Sequence, residues 1–328
     1  MSVSLNTIIV QPGEWLEIER KQAVDASRYG RYFEDRDFSN QSAKALLLDQ
    51  FERLAANQNT VVVKVYNEST LKGVAILRKS PWDTEHFGFG VAILEHIIPF
   101  SDSAVERFEI TKKLMENVNL WLNENKIDFI SARIPSLDLS VIQGAEEEGF
   151  RFIESWVYSK FNLKEFVKPA HIPNLRYARA EDKALMLEYS KGAFVTQRFH
   201  ADPRFSTQKA DELYEKWVAS AFEDPTQQIA VLDVEEKPAA FMIYYQQTTA
   251  GVEAAKYAMW KFTVIDPAMR GKGVGKVFFD ALKAHHQAEG SEFIESGVTL
   301  RNLPSMNLHN SLNFKIISSL TTLHKWQF

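Results

Sequence analysis

The chain has 328 residues, of which 45% are apolar and 25% charged, and it carries a formal net charge of −5 and no cysteine. This profile is typical of a globular protein long enough for two domains. The lack of cysteine excludes disulfides, thiol catalysis and cysteine-ligated zinc, and an acidic chain is a poor partner for nucleic acid.

The first residues, MSVSLNTIIVQPGEWLEIER, contain neither a basic start nor a long apolar run, so we expect no signal peptide. No later stretch approaches the ~20 apolar residues that a membrane-spanning helix needs. We therefore expect a cytoplasmic protein with no membrane contact, and a reducing compartment agrees with the absence of cysteine.

The first half of the chain predicts three successive strands and then alternating helices and strands, from apolar periodicities of two and of 3.6 residues. The strands are TVVVKVY (60–66), LKGVAILRKS (71–80), VAILEHIIPF (91–100), IDFISARI (127–134) and FRFIESWVYSKF (150–161), and the helices span about 104–123 and about 139–148.

A segment with two prolines, VKPAHIPNL (167–175), interrupts the periodic pattern near the middle of the chain. Proline and short polar residues between periodic segments are typical of a linker. We therefore predict a first domain over 1–166 and a second over 176–328.

The second half repeats the order of the first. Its predicted elements are strands over 227–234, 239–247 and 256–265, a helix over 273–287, a strand over 293–300 and a short helix that begins near Pro304. The Gly149-Phe150 and Asn313-Phe314 pairs lie 164 residues apart, half the chain length. The repetition predicts an α/β (α+β) fold of two tandem domains, each with a mixed sheet flanked by helices.

The two halves differ at one junction between a strand and a helix. The first half reads SDSAVER (101–107) there, whereas the second has Gly271, Gly273 and Gly275. A glycine-rich turn at the start of a helix commonly holds phosphate, because backbone N–H groups and the positive end of the helix face the anion. A loop that only turns a corner is the alternative.

Two familiar phosphate loops do not match this stretch. A Walker A loop with Gly275-Lys276 as its Gly-Lys pair would place Arg270 where glycine is needed and Val277 where Ser or Thr is needed. A dinucleotide fingerprint that starts at Gly271 would have Lys276 as its third glycine.

The run Arg270-x-x-Gly273-x-Gly275 resembles the R/Q-x-x-G-x-G/A motif of the GNAT-type N-acetyltransferases. The resemblance implies that the second half binds the pyrophosphate of acetyl-CoA and that the first half is a degenerate copy of the domain. The implied acetyl-CoA contacts are Phe262, Val264, Ile265, Arg270, Gly271, Lys272, Gly273, Val274, Gly275, Lys276, Asn302 and Ser305.

The resemblance continues into the short helix after the last strand. Asn302, Ser305, His309, Asn313 and Phe314 keep the spacing of a family pattern in which His309 is usually tyrosine and Asn313 glycine. The tyrosine can protonate the CoA thiolate, so the resemblance gives His309 the role of catalytic acid. The alternative is a polar residue on a solvated helix face.

Further stretches resemble the TDP-fucosamine acetyltransferase group within this family. They are SPWDTEHFGF (80–89), QRFHADPRFS (197–206), ELYEKWV (212–218) and LTTLHKW (320–326). The resemblance implies direct transfer to the amine of a nucleotide-linked, dTDP-type amino sugar. The transfer would pass through a tetrahedral intermediate whose oxyanion meets a backbone N–H near Phe262–Val264.

Within these stretches we select acceptor-site residues. Arg198 and Arg204 could pair with a diphosphate, since guanidinium groups match phosphate oxygens, or could be surface arginines. Asp202 could accept the amine proton or orient a sugar hydroxyl, or could cap the turn before Pro203. Phe199, and Trp82 and His86 in the first half, complete the predicted acceptor contacts.

Other residues in these stretches are weaker candidates. Tyr214 and Trp217 are more typical of a core, and His200, a candidate base, is more typical of an exposed loop. Asp83, Glu85 and His86 are too few and too close to form a metal site, so we predict no metal.

The sequence leaves other functions open. Another amine, such as a metabolite, an amino acid or a protein lysine, could be the acceptor. A non-catalytic CoA sensor would also keep the glycine loop, and the histidine at position 309 favours it. The expected partner is a small-molecule amine, and a homodimer is compatible with the sequence.

Overall fold

The structure is a computed structural model that describes residues 5–249 and 254–327. The chain divides into two compact units, Met1–Trp156 with Ser318–Phe328, and Val157–Ile317. This division falls within a strand ahead of the predicted linker, and residues 166–175 themselves contain neither helix nor strand. The last strand of the chain thus lies largely in the first unit.

The first unit is a mixed sheet flanked by helices. In chain order its elements are β1 (Leu5–Val10), α1 (Glu17–Ala26), α2 (Asn40–Ala56), β2 (Thr60–Asn67), β3 (Thr70–Lys79), α3 (Pro81–Phe87), β4 (Val91–Pro99), α4 (Ala104–Glu124), β5 (Phe129–Pro135), α5 (Leu139–Glu147) and the first half of β6 (Arg151–Asn162). Strands β1 to β4 are antiparallel neighbours, and β4 pairs with β5 in parallel. The final strand of the chain, over 315–326, pairs antiparallel with β5.

The second unit repeats this plan. After the second half of β6, its elements are β7 (Arg176–Tyr177), α6 (Lys183–Ser190), α7 (Arg198–Ala201), α8 (Thr207–Ala221), β8 (Gln228–Val234), β9 (Lys237–Thr248), β10 (Lys256–Ile265), α9 (Val274–Ala288), β11 (Phe293–Thr299) and α10 (Leu303–Ser311), followed by β12 (Lys315–Trp326). Strands β7 to β10 are antiparallel neighbours, and β10 pairs with β11 in parallel.

The equivalent elements confirm the predicted tandem α/β fold. The order β2-β3-β4-α4-β5-α5 of the first unit recurs as β8-β9-β10-α9-β11-α10 in the second. In each unit, apolar side chains from both faces of the sheet pack against helices and form two clusters. Alternate strand residues point to opposite faces, so helices on both sides are what strands with continuous apolar runs require.

One local outcome differs in detail from the sequence prediction. The stretch over 80–89, expected as a connection between strands, contains helix α3, which ends at Gly88 in a left-handed conformation. Among the helices of the described residues, none has the length and apolar character needed to cross a bilayer.

Candidate functional site

Strand β10 separates from β11 partway along its length. Their parallel pairing covers only Tyr257–Trp260 against Phe293–Ser296, although β10 continues to Ile265. On its other edge β10 stays paired with β9 up to Ile265, after a bulge at which Lys261 is inserted. A bulge twists a strand and re-aims its groups, and it is common next to active sites. The β11-facing edge of residues 261–265 therefore offers backbone groups to a ligand.

The side chains of Phe262 and Val264 do not face that opening. Both are buried in a core that contains Phe194 of the preceding loop and Tyr214 of α8. The Phe194 and Phe262 rings stack with their centroids 3.9 Å apart. Two of the predicted cofactor residues can thus act only through their main chain, as the oxyanion contact predicted near Phe262–Val264 requires.

The loop between β10 and α9 is shaped by its glycines. Gly271 and Gly273 have φ of +74° and +81°, and a Cβ at either would meet no atom within 4 Å. Glycine is needed there for backbone conformation rather than for space. Gly275 differs, because a Cβ there would lie 3.0 Å from Ile265 Cδ1 and 3.3 Å from Leu308 Cδ2.

The start of α9 is exposed and has no side-chain cap. Gly273 is its N-cap and provides no capping side chain. The first N–H groups of a helix have no partner within it, and the helix dipole favours a negative charge there. Arg270, Lys272 and Lys276 are exposed around this end, and Arg270 Nε donates to the Ile265 carbonyl at 3.3 Å.

The equivalent end of α4 in the first unit is already occupied. Ser103 is its N-cap and accepts a hydrogen bond from Glu106 N at 3.4 Å. The Glu106 carboxylate also accepts from Ser101 Oγ at 2.7 Å and puts a negative charge in the first turn. An anion is therefore disfavoured at α4, which agrees with the prediction of a degenerate first copy.

Helix α10 holds the predicted Asn302, Ser305 and His309 in one network. Asn302 Oδ1 caps the helix by accepting from Ser305 N at 3.2 Å. The Ser305 carbonyl accepts from His309 Nδ1 at 2.8 Å, which fixes the tautomer with the proton on Nδ1. His309 Nε2 then accepts from Ser296 Oγ at 2.9 Å, at the point where β10 and β11 separate.

His309 is only 3% exposed, so the alternative expectation of a solvated helix face is wrong. Burial lowers the pKa of His309, with a smaller opposing effect of its bond to Ser305. The ring is therefore neutral at pH 7, and both of its nitrogens are engaged. No local pattern indicates Ser296, because its hydrogen bond to His309 depends on how a strand and a separate helix pack.

The predicted acceptor residues of the second unit lie on α7 and the turn after it. Phe199 is buried, with the Arg198 guanidinium carbon 4.6 Å from its ring centroid. Asp202 is 4% exposed, and its Oδ1 accepts from Arg204 N at 3.1 Å, the turn-capping alternative. The Arg204 side chain is exposed.

His200 is held in an orientation that the sequence did not predict. Its side chain is 5% exposed rather than on an open loop, and Nε2 lies 3.0 Å from Asp211 Oδ1 on α8. Nδ1 has no hydrogen-bond partner among the described residues. The ring stacks at 5.9 Å on Tyr214, which is itself 6.1 Å from Phe262 of β10. A histidine oriented by a carboxylate is the usual arrangement of a general base.

Trp82 and His86 lie in the first unit, on α3. Trp82 is partly exposed, His86 is buried, and their rings stack at 5.9 Å. Asp83 accepts a hydrogen bond from Ser80 Oγ at 2.7 Å. Their predicted contact with the acceptor stays a prediction.

Comparisons with known proteins agree with this geometry. The sequence model of the Acetyltransferase (GNAT) family matches residues 193–314. The spore coat polysaccharide biosynthesis protein SpsD of Bacillus subtilis (strain 168) is 18% identical over 263 residues, which are 80% of this chain and 86% of that protein.

Solved structures share the fold of the chain over most of its length. A GCN5-related N-acetyltransferase from Sphaerobacter thermophilus has a TM-score of 0.62 and 14% identity, covering 98% of this chain and 95% of its own. A tandem GNAT protein from the clavulanic acid biosynthesis pathway has a TM-score of 0.56 and 13% identity, covering 98% of both chains. The tandem α/β arrangement is therefore shared with acetyltransferases.

Proposed function

Residues 193–314 belong to the acetyltransferase (GNAT) family, and from this premise we propose that the protein moves an acetyl group from acetyl-CoA directly to the amine of a nucleotide-linked amino sugar. The observation that carries the proposal is the uncapped start of α9, with Gly271 and Gly273 at positive φ and three exposed cations around them. The occupied start of α4 supports a single cofactor site, in the second unit.

The residues of this chain provide what acetyl transfer needs. The N–H groups at the start of α9 bind the pyrophosphate, and Arg270, Lys272 and Lys276 add positive charge. The free edge of β10 beyond Trp260 presents N–H groups to the thioester carbonyl, whose oxygen becomes negative in the tetrahedral intermediate. Binding at these two places orients the acetyl group beside the bulge.

Two groups move protons in the proposed reaction. The acceptor amine must lose a proton to attack, and His200, oriented by Asp211, is our candidate base. The departing thiolate must gain a proton, and our candidate source is the Ser296–His309 pair at the point where β10 and β11 separate, once Nε2 of His309 has taken up a proton that it can pass on through Ser296 Oγ. Asp202 would then orient the acceptor rather than take its proton, because it is bonded into a turn.

The amino-sugar acceptor rests on two observations. The relative from Bacillus subtilis is named for polysaccharide biosynthesis. Arg198 is the first residue of α7 and Arg204 lies in the turn that follows it, and guanidinium groups bind diphosphates through paired hydrogen bonds. Both favour an anionic, nucleotide-linked sugar over a cationic amine such as a protein lysine.

The glycine loop is tested with Gly273→Asp, which puts a carboxylate where the pyrophosphate binds. We expect calorimetric binding of acetyl-CoA to be lost, since like charges repel at a site built for an anion. Gly88→Asp is the matched control, because Gly88 also has positive φ (+83°) and open space around it. Unchanged acetyl-CoA affinity in Gly273→Asp would contradict the assignment of the loop.

The acceptor is tested by thiol release from acetyl-CoA with a panel of dTDP- and UDP-linked amino sugars. Release that depends on one amino sugar supports the whole proposal. Binding of acetyl-CoA without release by any of them would contradict the acceptor class and favour another amine or a CoA sensor.

A further inference from the structure

One exposed, charged side chain interrupts the buried centre of β10. Lys261, the residue inserted at the bulge, is exposed, whereas its neighbours Trp260 and Phe262 are 2% and 7% exposed. Strand β10 has β9 on one side and β11 on the other, so it is an interior strand of the second unit. An exposed lysine in the middle of such a strand shows that the sheet face is open at the bulge.

The side chain of Lys261 lies on the face of the sheet that packs against α8. Its Nζ is over the ring of Tyr245 on β9, 5.0 Å from the ring centroid. Alternate residues of a strand share a face, and Ile243, two residues before Tyr245, packs in the apolar cluster that contains Tyr214 of α8. Helix α9 covers the opposite face, where Tyr244 packs in a different cluster.

The candidate base of the proposed reaction is on this same face. His200 stacks on Tyr214 with ring centroids 5.9 Å apart, and the Tyr214 ring is 6.1 Å from that of Phe262, the residue after Lys261. An acceptor amine placed between His200 and the free edge of β10 would therefore have Lys261 as a neighbour.

The charge of Lys261 is not balanced by a carboxylate. Within the part of the chain that the structure describes, Lys261 Nζ forms no ion pair and no hydrogen bond, and its recorded contact is with the Tyr245 ring. The face of an aromatic ring attracts a cation and limits its movement. The N–H groups of the ammonium are left to donate to the oxygens of an anion.

We propose that Lys261 binds the acceptor phosphate that is attached to the sugar. This inference rests on the proposed function, because it takes the acetyl group to lie at the free edge of β10. The amine must reach that edge to attack, so the sugar lies at the bulge, and the next anionic group along the acceptor is the phosphate that carries the sugar. Lys261 thus adds a cation at the sugar end of the diphosphate to the two arginines, Arg198 and Arg204, proposed for it above.

This position makes Lys261 a specificity-determining residue. An amino sugar linked to a phosphate gains a charge-assisted hydrogen bond from the ammonium, whereas a free amino sugar does not. A cationic acceptor, such as a lysine-rich peptide, meets a like charge beside the reacting amine. Because the bulge depends on how β9 and β10 pair, no motif in the sequence indicates Lys261.

The test is calorimetric binding of dTDP and dTMP to the full chain at saturating CoA, which occupies the glycine loop. The terminal phosphate of dTDP is the one that would carry the sugar, and dTMP lacks it. We expect the unmodified chain to bind dTDP more tightly than dTMP and Lys261→Met to reduce the ratio of the two dissociation constants about tenfold. Methionine keeps an apolar contact with Tyr245 but has no charge. UDP and UMP form a second pair of probes.

Two further variants separate the charge of Lys261 from its packing. Lys261→Arg keeps the charge and should keep most of the ratio. Lys237→Met removes an exposed lysine at the start of β9, six residues before the strand passes the bulge, and is the matched control. Circular dichroism shows first that each variant is folded.

An unchanged ratio in folded Lys261→Met would overturn the proposal, and so would failure of both dTDP and UDP to bind the CoA-loaded chain. A failure of the proposed function would appear differently, as loss of CoA binding or of thiol release in the unmodified chain. The nucleotide ratio would still report on Lys261 in that case, because its measurement needs no acetyl transfer.

Discussion

At the scale of single residues, His309 is one of two positions, with Asn313, where the chain departs from the family pattern that it otherwise resembles. Its Nδ1 donates to the Ser305 carbonyl, its Nε2 accepts from Ser296, and the Phe279 and Phe314 rings pack edge-on against it. A neutral imidazole in this setting holds the Ser296 hydroxyl in place. In this tautomer Nε2 has no proton to give, so His309 would act as an acid only after Nε2 itself has been protonated.

We predict that His309→Phe lowers kcat of acetyl transfer by at least about tenfold and changes KM for acetyl-CoA much less. The phenyl ring keeps the packing between Phe279 and Phe314 but removes both nitrogens. Steady-state thiol release measures both constants, and an unchanged kcat would remove His309 from the mechanism.

The same variant should also cost stability. It leaves the buried Ser296 hydroxyl without an acceptor, a loss of about 1–3 kcal/mol in the free energy of unfolding. The double variant Ser296→Ala/His309→Phe should recover part of that loss in urea unfolding. Full additivity of the two substitutions would mean that the hydrogen bond is not formed.

At the scale of elements, the two units differ at the junction between a strand and the helix after it. The helix start has no side-chain cap in the second unit and is capped by Ser103 in the first. The glycines of the second unit and the Ser103 cap of the first are local features, so the sequence alone predicts which helix start can bind an anion. The bulge at Lys261 and the separation of β10 from β11 depend on pairing between distant segments. No local pattern in the sequence encodes either.

The contact between His200 of α7 and Asp211 of α8 gives a prediction at this scale. His200→Asn should lower kcat by about 100-fold at pH 7, because it removes the base that Asp211 orients. Asp211→Asn should cost less, because the imidazole remains and only the carboxylate that orients it is gone.

Glu215→Gln, on the same helix, is the control for this pair and should leave kcat unchanged. An unchanged kcat in His200→Asn would remove His200 from the mechanism.

At the scale of the whole molecule, buried neutral histidines occur in both units. Burial lowers the pKa of His96 in the first unit to about 4 and lowers the pKa values of His286 and His309 in the second. Histidine in an unfolded chain has a pKa of about 6.5. Between about pH 6.5 and pH 4 the unfolded chain therefore binds protons that the folded chain does not, and the free energy of unfolding falls as the pH falls.

We predict that the free energy of unfolding of the His96→Leu variant depends less on pH than that of the unmodified chain. The shift of the His96 pKa corresponds to about 3 kcal/mol, present above pH ~6.5 and lost as the pH approaches 4. Urea unfolding at about pH 7.5 and about pH 4.5 measures the difference for the variant and the unmodified chain. Equal differences would show that His96 is not buried as a neutral group.

The order of elements in both halves could be read from sequence, since apolar periodicity is local and each half repeats it. The division into units could not, because residues 318–327 pair with β5 rather than with the strands just before them in the chain. In the same way, His286 was predicted only as part of a helix. The hydrogen bond that its Nε2 accepts from Trp260 of β10 depends on packing between distant segments.

The placement of β12 bears on how the chain folds while it is being synthesised. The first unit contains most of the residues that leave the ribosome earliest, yet its sheet lacks a partner along β5 until residues 318–327 exist. At 5–20 residues per second that wait is about 10–40 s, during which an apolar strand edge is open to wrong pairing. All residues of the second unit, which end at Ile317, are therefore synthesised before the first unit has its last strand.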